Sequence, residues 1–395
     1  MSARDVVITG IGLVSSLGEG VEQHWNVLST PGAQPVLDPD TFLPYTVHPL
    51  PEIDWSQQIA KRGDQRQMET WQRLGTYAAG LALDDANAKD ETLLANMDMI
   101  VAAGGGERDV NVDQAILDAA RTRNDRDVLL NEKLTTELRP TLFLAQLSNL
   151  LAGNISIVHK VTGSSRTFMG EEGAGVSAIE TAAARIASGQ SNQVLVGGAF
   201  QTEHPDMLLG YELGGFLHRK RWKSGWKRAA NDGGGLISGS GAAFLMLESR
   251  EHAEARGARA YAAIAGVASG RARRNEGNLS EAISGLLRVL SLPKGNLLAI
   301  SGASGAHAAT GAERSALAAA GDFAIRGFSS LTGHMKEAQF PFAVALAAMA
   351  IKQGAAYPAF DPENEGALTG DAPTAAVATT IGYSRYEGAA LVVSA

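Results

Sequence analysis

Short runs of β-branched and other apolar residues alternate with helical stretches along nearly the whole chain. Each run is short enough for a buried strand and is bounded by glycine or polar residues. This alternation predicts an α/β protein whose sheets are covered by helices. The strands predicted in the first part of the chain are residues 6–9, 97–103, 166–169, 193–196 and 242–248, and a helix is predicted from about Gly175.

A second series of strands and helices begins near Ala260 and repeats this alternation. Two successive series of the same kind indicate a duplicated architecture. We therefore divide the chain into an N-terminal half, residues 1–250, and a C-terminal half, residues 251–395. The second series comprises strands at residues 261–265, 297–300, 375–380 and 389–394 and helices from about Leu279, from Gly311 and over residues 340–353.

The chain of 395 residues contains no cysteine. A disulfide, a cysteine-bound metal and a thiolate nucleophile are therefore excluded. The histidines do not pair at metal-ligand spacing beside carboxylates, so we expect neither a metal nor a cofactor. A net charge of −8 gives no reason to expect nucleic-acid binding. The longest apolar run, residues 340–351, is too short for a membrane span, and the first residues lack a signal-peptide pattern, so we predict a cytoplasmic protein.

A glycine-rich turn, Gly173-Ala174-Gly175, follows one predicted strand and opens a helix, as in the dinucleotide-binding fingerprint. That fingerprint requires an acidic residue roughly 20 positions further on, and residues 193–199 contain none. Close packing of a helix on a strand also requires glycines. The sequence therefore favours packing, and a dinucleotide-dependent oxidoreductase is the weaker alternative.

Two consecutive glutamates, Glu171 and Glu172, lie between a predicted strand and this helix. A strand-to-helix turn directs side chains toward a pocket, and a helix N-terminus favours negative charge. The carboxylates either cap the helix or belong to a site, and spacing alone leaves both interpretations open.

Several stretches of the chain resemble the elongating β-ketoacyl-acyl-carrier-protein synthases, a family with the thiolase-like fold. Within residues 140–198 the resemblance has no gap, and it continues nearly to both ends of the chain. It implies a fold of two duplicated α/β halves arranged in α-β-α-β-α layers. The matching stretches are residues 6–18, 149–157, 163–165, 175–179, 193–198, 242–259 and 331–334.

The residues that carry the family's reaction differ in this chain. The nucleophilic cysteine aligns with Glu172, and the first catalytic histidine aligns with Ser304. The lysine before the second histidine aligns with Ser329, and only that second histidine is retained, as His334. In the closing loop, the family's gating aromatic aligns with Tyr383, and the flexible glycines that follow it are lost.

These differences imply that the chain does not catalyse chain elongation. A carboxylate cannot replace a thiolate as a reversible acyl acceptor, and Ser304 removes one of two histidines that stabilise an enolate. The resemblance instead implies a chain-length factor, a cysteine-free subunit that forms a heterodimer with a catalytically competent ketosynthase in an aryl polyene or type II polyketide system. The alternative is an enzyme that decarboxylates malonyl-carrier protein with His334 and Glu172.

Two further groups of residues follow from the resemblance. Thr141, Leu142, Phe143 and Tyr383 are the candidates for lining the acyl tunnel at the subunit interface. The alternative for the apolar residues of 141–143, at the start of a helix, is an ordinary place in the core. The second expected partner is an acyl carrier protein, which is acidic and docks on basic patches. The densest basic run is either a contact site for this protein or for the other subunit, or a solvated loop. It consists of Arg219, Lys220, Arg221, Lys223, Lys227 and Arg228.

Overall fold

The structure, a computed structural model, describes residues 4–139, 142–143, 146–274, 277–295, 297–368 and 372–395. Within these ranges it contains a set of strands joined by helices and short 3₁₀ turns. The strands are β1 Val6–Ser15, β2 Gly18–Glu19, β3 Asp98–Ala103, β4 Ser165–Phe168, β5 Gln193–Phe200, β6 Gly241–Ser249, β7 Ala262–Gly270, β8 Leu297–Ser301, β9 Phe323–Gly327, β10 Ala375–Ile381 and β11 Glu387–Val393.

The helices connect these strands and cover their faces. They are α1 Gly20–Ser29, α2 Arg62–Gln67, α3 Thr70–Asp85, α4 Glu91–Asn96, α5 Val110–Ala119, α6 Arg126–Thr136, α7 Leu150–His159, α8 Glu171–Ala187, α9 Pro205–Leu213, α10 Arg250–Ala255, α11 Leu279–Val289, α12 His307–Ala320, α13 Ser329–Thr332, α14 Gln339–Gln353 and α15 Pro362–Glu365. The 3₁₀ turns are Trp55–Gln57, Gly225–Lys227, Ala230–Asp232 and Lys336–Ala338.

The strands form one hydrogen-bonded sheet in the order β4-β3-β5-β6-β1-β7-β11-β10-β8-β9, and β2 extends β1 as a short hairpin. The central strand β1 pairs antiparallel with β6 along its length and with β7 through residues 6–8. Each half of this order contains five strands of one series, arranged third, second, fourth, fifth, first. In each half the fifth strand runs antiparallel to its neighbours, whereas the second, third and fourth are parallel.

This repeated strand order confirms the duplicated α/β architecture predicted from the sequence. The first series lies within residues 6–249 and the second within residues 262–393. The boundary between residues 250 and 251 stays a prediction.

Helices α8 and α14 lie between the strands of the two halves. Their apolar side chains share one core cluster with strands of both series; examples are Ile179, Leu346, Ile11 and Ile300. The outer face of the first half is covered by α3 and α7, and that of the second half by α11 and α12. The layers therefore follow the order helix, strand, helix, strand, helix, as the resemblance implies.

Several predicted boundaries need correction. The helix expected from about Gly175 begins at Glu171, so both glutamates lie in its first turn rather than in the turn before it. The helix expected from Gly311 begins at His307. Strand β9 has no counterpart in the prediction because Arg326 interrupts its apolar pattern. This arginine is buried and donates hydrogen bonds to the carbonyl oxygens of Tyr357 and Gly366.

Helix α8 approaches the segment before α14 so closely that only glycine fits at position 175. A Cβ atom there would lie 2.6 Å from the carbonyl oxygen of Glu337. We expect Gly175→Ala to lower the free energy of unfolding by about 1–3 kcal/mol, because it overpacks a filled interior. The matched control is Gly210→Ala in α9, where no atom lies near the new methyl group. This control should stabilise the protein by about 0.5–1 kcal/mol, and equal urea midpoints for the two variants would contradict the close approach.

A carboxyl group is buried between α12 and the second series of strands. Glu313 accepts hydrogen bonds from the hydroxyls of Ser301 and Thr379, and burial raises its pKa from 4.5 to about 7. The folded chain therefore keeps a proton that the unfolded chain loses near pH 4.5, so the free energy of unfolding should fall as pH rises through this interval. A pKa change of this size corresponds to roughly 3 kcal/mol.

Glu313→Gln keeps the acceptor oxygen and removes the titration. We expect this variant to be more stable than the wild type at pH 8 and to differ little from it at pH 4.5. Urea unfolding at the two pH values measures the difference. The exposed Glu254→Gln is the control, and a Glu313→Gln effect that does not change with pH would show that the carboxyl is ionised in the folded chain.

Candidate functional site

The first turn of α8 brings Glu172 to the interior at the carboxyl end of β4. Gly170 and Glu171 adopt φ values of 128° and 56°, which turn the chain sharply from the strand into the helix. The left-handed conformation is unfavourable for a glutamate and is found where the surroundings enforce it. The turn buries the Glu172 side chain, which is only 1% exposed.

Glu172 meets His334, which follows the short helix α13. Oε1 of Glu172 lies 2.8 Å from Nε2 of His334, and the histidine is fully buried. The two groups are not aligned for a hydrogen bond, since both ring nitrogens lack a hydrogen-bond partner among the described residues. The structure thus brings together two of the four predicted site residues in a dry carboxyl–imidazole contact.

The loop that contains Tyr383 closes over this contact. The Tyr383 backbone N–H donates a hydrogen bond to Oε1 of Glu172 at 3.2 Å, and its hydroxyl donates to the Glu171 carboxylate. Burial, together with the adjacent carboxylates, raises the pKa of the Tyr383 phenol. Two adjacent glutamates therefore fix one tyrosine through its backbone and through its side chain.

Aromatic rings fill the space beside His334. The ring centroid of Tyr383 lies 4.7 Å from Phe216, 5.1 Å from Tyr211 and 6.0 Å from His334. On the other side, the ring of Tyr386 packs on Gly173, where a Cβ atom would lie 2.6 Å from it. The site is thus covered by protein, and Tyr383, which we expected at the tunnel or interface, points inward with 8% of its surface exposed.

Two residues that the sequence does not predict, Lys336 and Glu337, also lie beside the site groups. Burial raises the pKa of Glu337, and the negative charges of Glu172 and Glu171 raise it further. The ammonium group of Lys336 lies 4.4 Å from the ring centroid of Tyr211 and 5.4 Å from that of Phe200. The signal in the sequence was this charged pair directly before the apolar helix α14.

Ser329 and Ser304 are also buried, but their hydroxyl groups are hydrogen-bonded to an amide side chain and to the backbone, respectively. Nε2 of Gln339 donates to Oγ of Ser329 at 2.6 Å and to the carbonyl oxygen of Gly302 at 3.0 Å. Oγ of Ser304 accepts a hydrogen bond from the backbone N–H of Ala306. In the described part of the chain, neither serine hydroxyl is hydrogen-bonded to Glu172 or His334.

The predicted tunnel segment divides between interior and surface. Leu142 is buried, whereas Phe143 is 66% exposed. Thr141 lies outside the described residues, as does Pro140. Phe143 is therefore the one described candidate whose apolar side chain is at the surface.

The basic run is largely neutralised by its own surroundings. Arg219 pairs with Glu212, Lys223 with Asp232, and Lys227 with Asp361 and Glu363. Lys220 and Arg221 are exposed.

Arg228 is a correction to the predicted contact residues, because it is buried. Its guanidinium donates to the carbonyl oxygens of Lys223, Gly235 and Ser304. Burial lowers its pKa to about 9. Arg228 thus connects loops inside the protein and cannot contact a docking partner.

The glycine-rich turn has a packing role in this structure. Gly173 contacts the Tyr386 ring, and Gly175 contacts Glu337, so protein atoms occupy the space that a nucleotide would require. Within the described ranges, no group of three or more acidic, histidine or cysteine side chains is arranged to hold a metal ion. In the same ranges, no helix combines the length and apolar character required to cross a bilayer.

Comparison with known proteins gives a consistent set of relatives. The family model "Beta-ketoacyl synthase, N-terminal domain" matches residues 3–253. The chain is 31% identical to 3-oxoacyl-[acyl-carrier-protein] synthase 2 of Rhizobium meliloti (strain 1021) over 281 residues, and 27% identical to the synthase 2 of Vibrio harveyi over 276 residues. Each alignment covers 67% of this chain and 63% of the relative.

Solved structures extend the similarity over the whole fold. The ishigamide ketosynthase/chain length factor has a TM-score of 0.79 at 19% identity, with 100% of both chains covered. A β-ketoacyl synthase from Burkholderia phymatum STM815 has a TM-score of 0.79 at 21% identity, covering 99% of this chain and 100% of that one. Because the family model matches more than half of the sequence and both halves repeat the same strand order, the chain belongs to the β-ketoacyl synthase family with the thiolase-like fold.

Proposed function

We propose that this chain is a non-condensing β-ketoacyl synthase subunit, a chain-length factor, which pairs with a catalytically competent ketosynthase in the cytoplasm. The observation that carries the proposal is that the protein's own side chains fill the site. Glu172, which aligns with the family's nucleophile, contacts His334 at 2.8 Å and lies beneath Tyr383. A subunit whose own site is filled can still retain the fold and shape the tunnel of its partner.

The chemistry of this site does not suit acyl transfer. Elongation requires a nucleophile that forms and releases a thioester, and a carboxylate does not do this at neutral pH. It also requires donors that stabilise the developing enolate. Nε2 of His334 lies beside a carboxylate, and the Ser304 hydroxyl is engaged by the backbone of Ala306.

The surface of the first half supports a protein partner. Among the described strands, β4 is at the end of the sheet and has only β3 beside it, so its other edge has no neighbouring strand. Of the fourteen exposed large apolar side chains among the described residues, eleven lie between Val110 and Leu213. Met169, directly after β4, is 68% exposed, and Ile157 on the adjacent α7 is 57% exposed. An apolar surface beside a free strand edge is suited to a second folded subunit.

The names of two structural neighbours support the classes of partner. One neighbour is named a ketosynthase/chain length factor, and another contains a type II polyketide synthase acyl-carrier protein in complex with its ketosynthase. We therefore propose a condensing ketosynthase as the obligate partner and an acyl carrier protein as the second one. By the resemblance, the product is an aryl polyene or a polyketide, and Phe143 lies beside the partner's tunnel.

The alternative function, decarboxylation of malonyl-carrier protein, has less support. It requires His334 to donate a hydrogen bond to an enolate oxygen and Glu172 to act in the protonated form. The imidazole instead lies against the carboxyl, and Tyr383 and Phe216 fill the adjacent space.

The proposal predicts that an exposed apolar surface beside β4 holds the partner. Ile157→Asp combined with Met169→Asp should reduce affinity for the co-expressed ketosynthase by about tenfold or more, because both substitutions bury carboxylates against apolar atoms. Val289→Asp on α11 is the matched control, since Val289 is 73% exposed in the other half of the chain. Co-purification and analytical ultracentrifugation measure the complex.

Wild-type chain and the Val289→Asp control should form a stoichiometric complex with the ketosynthase. A stable homodimer that ignores the ketosynthase would contradict the proposal. Retained binding by the Ile157→Asp and Met169→Asp double variant would also contradict the location of the interface.

A further inference from the structure

Three titratable side chains connect the loop after β3 to the start of α9. Nδ1 of His204 is hydrogen-bonded to the carboxylate of Asp206, and Nε2 lies 3.9 Å from Oε2 of Glu107. The other oxygen of Asp206 accepts a hydrogen bond from the backbone N–H of Arg108 at 3.0 Å. Glu107, His204 and Asp206 are all largely buried and form one group, the His204 cluster.

The segments that meet at the His204 cluster expose apolar side chains on the surface of the first half. α5 follows the loop directly and exposes Leu117, and α9 exposes Leu209 and Leu213. The loop is also hydrogen-bonded to the segment before α7, since Nε2 of Gln146 donates to the carbonyl oxygen of Glu107 at 3.1 Å. The relative position of these apolar side chains therefore depends on the contacts of the cluster.

His204 lies between two carboxylates, so its protonation state determines how it can contact them. The imidazolium has a donor on each ring nitrogen, whereas the neutral ring directs a lone pair at one carboxylate. The pKa of His204 lies above its ordinary value, first because of the hydrogen bond to Asp206 and further because of the negative charges of Asp206, Glu107 and Glu69. The folded chain therefore retains an imidazolium that the unfolded chain has lost, and this stabilisation disappears as pH rises through the raised pKa.

The other charged groups around the cluster include cations and carboxylates in equal number on each element. They are Arg73 and Glu69 of α3, Lys336 and Glu337 before α14, and Arg108 and Asp113 at the start of α5. Glu69 is also paired with Arg139. Burial raises the pKa of Glu107, whose Oε1 has no hydrogen-bond partner among the described residues. Loss of the imidazolium charge leaves the carboxylates of Glu107 and Asp206 on either side of an uncharged ring, where they repel each other.

We propose that the His204 cluster is a proton-dependent link that positions α5 and α9 for binding the ketosynthase; the proposal rests on the proposed function of the chain. The protonated ring attracts Asp206 on α9 and Glu107 in the loop before α5, and so holds the two helices in one arrangement. Binding that requires this arrangement is coupled to the proton that stabilises it. His204 is thus a positioning residue, and the subunits should associate more tightly near neutral pH than in alkaline solution.

The test measures the affinity of the full chain for its co-expressed ketosynthase by analytical ultracentrifugation. Wild-type affinity should fall by about tenfold between about pH 6.5 and about pH 9, because loss of the imidazolium is coupled to release of the ketosynthase. His204→Gln should remove most of this fall, since an amide does not titrate. Glu107→Gln removes one carboxylate that raises the pKa of His204, so the midpoint of the fall should move to lower pH.

The matched control is His252→Gln on α10. It removes another largely buried histidine that contacts a carboxylate, since Nδ1 of His252 lies 2.6 Å from Oε1 of Glu248. This control should keep the wild-type pH profile.

Three results would overturn the inference while leaving the pairing of the subunits intact. They are equal pH profiles for the wild type and His204→Gln, an unchanged midpoint in Glu107→Gln, and a profile altered equally by His252→Gln. If His204→Gln does not fold, the midpoint of Glu107→Gln decides. Failure of the wild type to bind the ketosynthase at every pH refutes the proposed function instead.

Discussion

The burial of the Glu172 carboxyl against His334 is the constraint around which the central part of this protein is organised. A carboxyl group removed from water is costly unless polar groups are supplied to it. In this protein the carboxyl accepts one hydrogen bond from the backbone N–H of Tyr383 and lies beside the imidazole of His334. The closed loop, the aromatic rings and the glycine at position 173 all keep that arrangement dry. In a condensing enzyme the same location must admit an acyl thioester, and the proposed non-condensing role accounts for a site that is closed instead.

The duplicated sheet explains why this contact forms between distant parts of the chain. Glu172 lies in the first turn of α8 and His334 precedes α14, and these two helices share the layer between the two series of strands. The close contact of Gly175 with Glu337 and Pro341 lets α8 and the start of α14 lie side by side. The site is therefore assembled by the packing of the two halves, and the loop of Tyr383 closes it from the end of β10.

Much of this organisation could be predicted from the sequence, for identifiable reasons. Short apolar strands bounded by glycine or polar residues, such as β5 and β8, have a clear sequence pattern. The alignment of Glu172 and His334 with site positions of the family predicted that they would meet. At position 172 a charged residue predicts an exposed turn before the helix, whereas this glutamate lies in the buried first turn of the helix. The burial of Arg228 and of Arg326 could not be predicted either, because each donates to a backbone carbonyl distant in sequence, that of Ser304 and that of Tyr357. Arg271 and Arg385 line the same surface groove although they are far apart in sequence, and only the fold brings them together.

The central claim is that the site is degenerate as a whole rather than by one residue, and restoring the nucleophile tests it most directly. The measurement is formation of a β-ketoacyl product from acyl- and malonyl-carrier protein by purified Glu172→Cys, after its thermal unfolding and its binding to the ketosynthase have been shown to match the wild type. The account predicts no product, because Ser304 and Ser329 lack the catalytic groups and Tyr383 closes the site. Product formed by Glu172→Cys alone would contradict it.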